Sequence, residues 1–273
     1  MPASAHDPAA DSGRLASRID GPVAVIGDVH GQLDLLDRLV ERLGRCGDFD
    51  NRWIVLLGDL VDRGPDPRGV IQRVIELITT HPRTTVVCGN HDLAMAGSLG
   101  LVPVPPEADW ARRWRRGYQC ETTFGSYGVA AGDFEGLARA VPEEHAGLLA
   151  ELPWVVEHPE VIVVHAGLVP ELPTATQLKM LHHRDFSLHR PPWLCRKDLG
   201  TDVSPGDCRV PIASGHVARR QPYVGTRRIL LDTTGGVGGE LTALLLPENE
   251  LVTSHRDARP VRRRWWPFGR RAA

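Results

Sequence analysis

The sequence of 273 residues has no apolar run that approaches the ~18 residues of a membrane-spanning helix. Residues 1–17 are small and polar, so we also expect no signal peptide, which needs an apolar core. The five cysteines are an odd number without a CxxC pair, which argues against a disulfide framework and for a reducing compartment. Together these absences predict a cytoplasmic protein.

Net charge and aromatic residues are also scarce. The formal net charge is −2 and aromatic residues make up 5% of the chain, so the sequence predicts no general attraction to nucleic acid. The exception is the C-terminal segment, residues 251–273, which is rich in arginine and contains Trp265, Trp266 and Phe268. Two interpretations of this tail are open: a disordered, solubilising segment, which is the favoured one, or weak contact with an anionic membrane or a protein partner.

The rest of the chain divides into a short N-terminal segment and one folded domain. Residues 1–20 are rich in Ala, Ser, Asp and Pro, and we expect them to be disordered. The chain is 42% hydrophobic and 24% charged, which is ordinary for a globular protein, and we assign residues 21–250 to one domain. Residues 93–127 interrupt its pattern with three prolines and then the basic segment Trp110–Arg116, which indicates an insert.

Three short apolar segments begin the domain, and each ends at a glycine followed by a polar residue. They are Val23–Ile26, Ile54–Leu57 and Thr85–Cys88, whose length and β-branched residues predict buried strands. Residues 33–43 and 68–79 lie between them and have apolar residues at helical spacing. This order predicts a β-α-β-α-β unit with a parallel sheet and right-handed crossovers. The polar residues then lie at the carboxyl ends of the strands, where such sheets bind ligands.

Two later apolar segments also end at a residue that can bind a metal. Val161–Val164 runs into His165, and Ile212–Ser214 runs into a glycine followed by His216. Residues 228–246 are expected to finish the domain with a second, antiparallel group of strands.

Six side chains at these strand ends have the donor atoms of a metal site. Any one of them alone would be interpreted as a turn residue or a helix cap, but five such strand ends in chain order are hard to explain by packing. Oxygen and imidazole donors without a thiolate suit Mn, Fe, Zn or Mg. A shared carboxylate holds two ions about 3.5–4 Å apart in two-metal hydrolytic sites. The six candidates are Asp28, His30, Asp59, Asn90, His165 and His216.

The motifs around these residues resemble those of the calcineurin-like metallophosphoesterases over roughly residues 23–247. The motifs are Gly27-Asp28-Val29-His30-Gly31, Gly58-Asp59-Leu60-Val61-Asp62-Arg63-Gly64, Gly89-Asn90-His91-Asp92, His165-Ala166-Gly167 and Gly215-His216. The extension Asp62-Arg63-Gly64 resembles the phosphoprotein phosphatase branch, which includes bacterial serine/threonine phosphatases and symmetrical diadenosine tetraphosphate hydrolases. The resemblance implies an α/β fold, a sandwich of two mixed β-sheets flanked by α-helices, with an insert after the third motif and residues 21–250 as the catalytic domain.

The resemblance also implies a role for each candidate ligand. Asp28 and His30 would bind a first ion, and Asp59 would bridge it to a second. The second ion would be held by the set Asn90, His165 and His216. The cofactor would be two divalent metal ions, with manganese expected first and iron, zinc, magnesium or cobalt as alternatives.

Two further residues are implied to act on the leaving group of the substrate. His91 would be the general acid, because an imidazole can donate a proton near neutral pH, and Asp62 would orient its ring. The alternatives are that His91 supports a metal ligand and that Asp62 forms a salt bridge with Arg63. Asp232 resembles the strand-end Asp that often supports the last histidine, so we expect a hydrogen bond to His216.

Arginines are implied to bind the phosphoryl oxygens. Arg63 would be the first, as part of its motif. A second would come from the loop after the His-Ala-Gly motif, where Arg184 matches best and Arg190 and Arg196 are alternatives.

The predicted reaction is hydrolysis of phosphate monoesters by in-line attack of a metal-bridging hydroxide, with arginines stabilising charge on the equatorial oxygens. The expected substrate is a phosphorylated protein or a small phosphate ester. Asp62 favours a serine/threonine protein phosphatase, because symmetrical dinucleoside hydrolases commonly carry a small residue there.

Two alternatives remain. The basic segment Trp110–Arg116 favours a symmetrical diadenosine tetraphosphate hydrolase, because it could attract an anion and stack a base. That argument fails if Trp110 and Trp114 pack inward at i, i+4. A non-catalytic adaptor with the same fold is less consistent with the sequence, because every expected ligand position is filled.

Overall fold

The computed structural model of the protein describes residues 15–201 and 203–260. The expectations for residues 1–14 and for the basic, aromatic residues 261–273 therefore lie outside the described residues. Within the described part of the chain, no helix combines the length and the apolar character needed to cross a membrane.

The first elements form the predicted β-α-β-α-β unit. They are β1 (Val23–Ile26), α1 (Leu33–Leu43), β2 (Trp53–Leu56), α2 (Pro67–Thr80) and β3 (Thr84–Val86). Strands β1, β2 and β3 pair in parallel, as predicted. Helix α1 buries the apolar stripe that its spacing predicts, including Leu36 and Leu43. Helix α2 begins after Asp66, whose side chain accepts a hydrogen bond from the backbone N of Gly69.

Eleven strands in the described residues form two mixed sheets. The later strands are β4 (Val156–His158), β5 (Val161–Val163), β6 (Ile212–Ser214), β7 (Tyr223–Val224), β8 (Arg228–Leu230), β9 (Thr242–Leu246), β10 (Glu250–Thr253) and β11 (Arg256–Pro260). One sheet has the order β11-β10-β9-β1-β2-β3, and the other has the order β4-β5-β6-β8-β7. Parallel and antiparallel pairs occur in both.

The two sheets pack face to face as a sandwich. Val25 and Val55 from the six-stranded sheet and Val163, Ala213 and Ile229 from the five-stranded sheet belong to one buried cluster. A second cluster packs the helices onto the sheets. This architecture confirms the fold class, two mixed sheets flanked by helices.

The insert after the third strand is helical. The remaining helices are α3 (Asn90–Ser98), α4 (Trp110–Gly117), α5 (Glu121–Ser126), α6 (Phe134–Ala140), α7 (Glu143–Glu151), α8 (Thr174–His183) and α9 (Pro192–Cys195). Trp110 and Trp114 of α4 are both buried. Both rings therefore pack inward, and this packing argues against a role in stacking a base.

Three expectations about the ends of the domain need correction. Residues 15–20 are not disordered, because Leu15 and Ile19 are buried and the backbone N of Ile19 donates to O of Glu157. The tail does not begin at residue 251, because β10 and β11 extend the six-stranded sheet and bury Leu251 and Val252. Residues 228–246 do not form one antiparallel group, since β8 pairs in parallel with β6 while β9 joins the other sheet beside β1.

Candidate metal centre

The predicted ligands follow strands of both sheets and meet where the two sheets adjoin. Their turns need unusual backbone conformations, with φ of 45° at His30, 49° at Asp59 and 65° at His216. Glycine permits the close approach between the turns. A Cβ atom at Gly89 would lie 2.1 Å from Oδ1 of Asp59, and one at Gly215 would lie 1.6 Å from Oδ1 of Asp28.

Asp59 is the centre of the cluster. Its Oδ2 atom lies 3.4 Å from Nε2 of His30 and 3.4 Å from Nε2 of His165. Two groups of donor atoms, each within 4.8 Å of one another, share this carboxylate. One group adds His30 and His91, and the other adds His165 and His216. A carboxylate common to two donor groups is the arrangement that the sequence analysis expected of a bridging ligand.

Asp28 and Asn90 contact histidines of the same cluster. Oδ2 of Asp28 accepts a hydrogen bond from the backbone N of His216 at 2.8 Å. Oδ1 of Asn90 lies 3.1 Å from Nε2 of His165. All six predicted ligands are therefore brought into one network. The donor group that contains His30 includes His91 and not Asp28, whose Oδ2 atom accepts from the backbone of His216.

The cluster carries an excess of buried negative charge. Burial, reinforced by Asp232, raises the pKa of Asp28 well above its usual value, and burial also raises the pKa of Asp232. Burial opposes ionisation of Asp59, yet attraction to His165 and His91 holds the pKa of that carboxyl well below its usual range. The same attraction overcomes burial at His165 and raises its pKa to about 10.

Unpaired buried atoms test whether a cation fits. Oδ1 of Asp28, Oδ2 of Asp232 and Nε2 of His216 are buried without a hydrogen-bond partner in the described part of the chain. Burial and the neighbouring His165 lower the pKa of His216 to about 3, so its ring is neutral and Nε2 can act as a donor to a metal. Unpaired oxygen and imidazole nitrogen atoms beside excess carboxylate charge fit divalent cations. Asp232 does not form the expected hydrogen bond with His216; its Oδ1 accepts from the backbone N of Gly235.

Arg63 lies over the cluster. Its Nη1 atom is 3.0 Å from Nε2 of His30 and donates to O of Gly235 at 3.1 Å. Its Nη2 atom is 3.1 Å from Nε2 of His91. The guanidinium is thus held beside the carboxylates, where its donors face the cavity.

His91 and Asp62 form the predicted pair. Nδ1 of His91 donates to Oδ2 of Asp62 at 2.6 Å, and both side chains are buried. Asp62 also accepts hydrogen bonds from Trp114 and Thr123, which the sequence analysis did not assign to the site. Most buried indole N–H groups have a hydrogen-bond partner, so the inward packing of Trp114 was a signal for such a contact, although it did not identify the acceptor.

A cavity of about 630 Å³ opens onto the cluster. Asn90, His91, His216 and Tyr118 line it, and the ring of Tyr118 lies 4.6 Å from that of His91. The cavity is strongly basic. Its cationic residues are Arg63, Arg112, Arg113, Arg116, Arg190 and Lys197.

The assignment of the second phosphate-binding arginine needs correction. Arg184 donates to O of Ala150 at 2.8 Å, stacks over Phe186 and is not among the residues that line the cavity. Arg196 pairs with Asp198. Arg190, the other alternative from the sequence, does line the cavity.

The chain is similar to known proteins in sequence and in fold. The family model described as calcineurin-like phosphoesterase matches residues 21–231. A symmetrical bis(5'-nucleosyl)-tetraphosphatase of Vibrio parahaemolyticus serotype O3:K6 is 27% identical, covering 84% of this chain and 97% of its own. The asymmetrical bis(5'-nucleosyl)-tetraphosphatase PrpE of Bacillus cereus is 26% identical, covering 84% and 92%. A cold-active protein-tyrosine phosphatase of Shewanella has a similar fold, with a TM-score of 0.59, 17% identity and coverage of 88% of this chain and 80% of its own.

Proposed function

The chain belongs to the calcineurin-like phosphoesterase family, and on that premise we propose that it hydrolyses dinucleoside polyphosphates with the help of two divalent cations bound around Asp59. The observation that carries the metal assignment is the carboxylate of Asp59, shared by two groups of donor atoms. Asp28 and His30 would complete one ion's ligands, and Asn90, His165 and His216 would complete the other's. Manganese is the first expectation for both ions, as the resemblance implies.

The donor atoms around Asp59 would hold divalent cations, which would supply Lewis acidity toward water and the phosphoryl oxygens. The chain's own residues supply the rest. Arg63, held by His30 and Gly235, presents guanidinium donors to the phosphoryl oxygens. His91, held by Asp62, presents Nε2 to the leaving oxygen.

The basic cavity favours a substrate with several phosphates. Helix α4 contributes Arg112, Arg113 and Arg116, and Arg190 and Lys197 lie on the same cavity. Each exposed cation alone contributes little, but several in one cleft raise the local concentration of a polyanion and guide it to the site. Bis(5'-nucleosyl)-tetraphosphate has four linked phosphates, and two relatives are named for its hydrolysis.

The cationic residues at the rim of the cavity differ in the partners that they already have. The rim consists of Arg112, Arg113, Arg116, Arg190 and Lys197. Arg112 pairs with Asp109, and Arg113 donates to O of His189 at 2.8 Å. Arg116 and Lys197 have no carboxylate partner among the residues that the structure describes. These two side chains are therefore available for the phosphates that lie beyond the metal centre.

A second candidate is the serine/threonine phosphatase that the sequence analysis favoured. The specific observation for it is the buried pair of His91 and Asp62. The alkoxide of serine or threonine is a strong base and must be protonated as it leaves, whereas a nucleotide phosphate leaves readily without a proton. A dedicated acid therefore benefits a phosphoserine substrate most.

A substrate panel separates the two candidates. Protein treated with a chelator is reloaded with Mn, Fe, Zn, Mg or Co and assayed on diadenosine tetraphosphate, a phosphoserine peptide and p-nitrophenyl phosphate. We expect kcat/KM to favour the dinucleotide by ~10²-fold or more over the peptide, with chromatography distinguishing two ADP from ATP plus AMP. Asp59→Asn prepared in parallel controls for contaminating phosphatases. A preference for the peptide would instead support the second candidate, and no turnover with any cation would refute both.

A further inference from the structure

The insert contacts the catalytic pair through polar atoms of two helices. Helix α4 provides Trp114 and helix α5 provides Thr123, and both side chains are fully buried. We propose that Trp114 and Thr123 are positioning residues that fix the carboxylate of Asp62 and, through it, the ring of His91. This inference rests on the role of His91 in the proposed function.

The carboxylate of Asp62 accepts hydrogen bonds on both oxygens. Oδ2 accepts from Nδ1 of His91 at 2.6 Å and from Nε1 of Trp114 at 2.7 Å. Oδ1 accepts from Oγ1 of Thr123 at 2.6 Å, and the same hydroxyl accepts from the backbone N of Asp62 at 3.0 Å. The carboxylate therefore cannot turn about its Cβ–Cγ bond without losing a charge-assisted hydrogen bond.

The insert also holds the backbone of this turn. Asp62 and Arg63 have φ of 69° and 64°, in the left-handed region. The backbone N of Arg63 donates to O of Gln119, which lies between α4 and α5. Residues other than glycine keep such conformations where surrounding contacts hold them, and here the insert supplies those contacts.

The arrangement fixes which nitrogen of His91 faces the substrate. An ionised carboxylate only accepts hydrogen bonds, so Nδ1 of His91 carries the proton shared with Asp62. Nε2 then faces the cavity, 3.1 Å from Nη2 of Arg63 and 3.9 Å from Oδ2 of Asp59. Rotation of the ring would move Nε2 away from the leaving oxygen, which slows proton transfer more than it weakens substrate binding.

Each positioning residue has a neighbour of the same type that serves as a matched control. In the described residues, Nε1 of Trp110 and Oγ1 of Thr122 are buried without a hydrogen-bond partner. Trp110→Phe and Thr122→Val thus remove the same kinds of atoms as Trp114→Phe and Thr123→Val, but they leave the hydrogen bonds to Asp62 intact. Thr123→Ser keeps the hydroxyl and serves as a conservative rescue.

The activity test compares two leaving groups. Trp114→Phe and Thr123→Val should lower kcat on an alkyl phosphate by ~10-fold or more while KM stays within about twofold. The loss on p-nitrophenyl phosphate should be smaller, because that leaving group needs little protonation. The two control variants and Thr123→Ser should stay near wild type. Equal losses in the positioning and control variants, or equal losses on both substrates, would overturn the proposal.

A measurement on metal-free protein tests the positioning without turnover. NMR follows the exchange with solvent of the proton on Nδ1 of His91, together with the indole N–H resonance of Trp114. We expect Trp114→Phe to accelerate exchange of the His91 proton, while Trp110→Phe does not. Asp62→Asn should shift the indole resonance of Trp114 and leave that of Trp110 in place. Unchanged exchange, or an unmoved Trp114 resonance, contradicts the proposal.

The two measurements separate this inference from the proposed function. A wild-type protein that hydrolyses no phosphate ester with any cation would refute the proposed function, while the NMR comparison would still decide whether Trp114 positions His91. An active wild type with indistinguishable Trp114→Phe and Trp110→Phe variants would refute the positioning role alone.

Discussion

The Oδ2 atom of Asp59 lies 3.4 Å from Nε2 of His165, and this contact joins the two β-sheets at the candidate site. Asp59 follows β2 of the six-stranded sheet, whereas His165 follows β5 of the five-stranded sheet. A cation bound by both side chains would therefore link the two layers of the sandwich. Metal binding is expected to affect stability as well as catalysis.

Metal binding should raise the melting temperature (Tm). Asp28→Asn should raise the Tm of the metal-free protein and reduce the increase in Tm that the metal causes. The raised pKa of Asp28 means that its ionised form is disfavoured in the folded state, so at neutral pH the charge lowers stability when no cation is present. The amide removes that charge and should raise the metal-free Tm by roughly 2–4 °C. It should also reduce the further increase on adding Mn²⁺. Calorimetry with and without chelator measures both effects, and a metal-free Tm below wild type would contradict this account.

Removing the imidazole of His91 should affect substrates according to their leaving groups. We expect His91→Ala to lower kcat on an alkyl phosphate by about 10²-fold or more, because the leaving alkoxide loses its proton donor. The effect on p-nitrophenyl phosphate should be smaller, since its leaving group is already acidic. Steady-state kinetics on both substrates checks this. Equal losses would remove the general-acid role and indicate that His91 supports the metal ligands instead.

The strand ends could be predicted because the sequence patterns that mark them are local. Each of the five motifs is a short apolar segment followed by a donor residue, which glycine directly precedes in four of them. The pairing of β1, β2 and β3 brings their ends to one edge. Arg184 was not predictable in this way, because the loop around it carries no pattern that fixes its direction. In the structure, the guanidinium of Arg184 donates to the backbone O of Ala150, and Arg190 lines the cavity instead.

The contacts of the insert could not be predicted from the spacing of residues either, because no local pattern shows which atoms its side chains meet. The amphipathic spacing of Trp110 and Trp114 indicated that both rings face inward, and they do. Only the packed position of the helices shows that one indole meets Asp62 while the other meets no acceptor in the described residues. The domain ends were misplaced because a pair of apolar residues, such as Leu15 and Ile19, is too short a signal to reveal burial.

A methyl group at Gly215 should weaken metal binding. The Cβ atom of alanine would lie 1.6 Å from Oδ1 of Asp28, so the carboxylate must move away from the cluster. We expect Gly215→Ala to raise the Kd for Mn²⁺ by roughly 10- to 100-fold, the size of effect seen when the supports of metal ligands change. Titration calorimetry on metal-free protein measures it.

Gly147→Ala is the matched control for that substitution. Gly147 lies inside α7, and a Cβ atom there would have nothing within 4 Å. Alanine should leave metal affinity unchanged and stabilise the helix by roughly 0.5–1 kcal/mol. If both variants bound Mn²⁺ like wild type, the close approach of Gly215 to Asp28 would have no bearing on the metal site.

Reversing charge on the cavity rim should discriminate against polyphosphate substrates. Arg116 and Lys197 lie on the cavity without a carboxylate partner in the described part of the chain. The double variant Arg116→Glu and Lys197→Glu should lower kcat/KM for diadenosine tetraphosphate by ~10²-fold and weaken its dependence on salt, because attraction of the polyanion becomes repulsion.

The same double variant should change turnover of p-nitrophenyl phosphate much less, since a single phosphoryl group is held at the metal centre by Arg63 rather than by the rim. Arg38→Glu reverses charge on an exposed position of α1 that does not line the cavity, and it controls for charge reversal away from the site with half the change in net charge. Initial rates over a range of NaCl concentrations test all three proteins. Parallel losses on both substrates, or an equal loss in Arg38→Glu, would show that the rim does not select for linked phosphates and would favour the phosphoserine substrate.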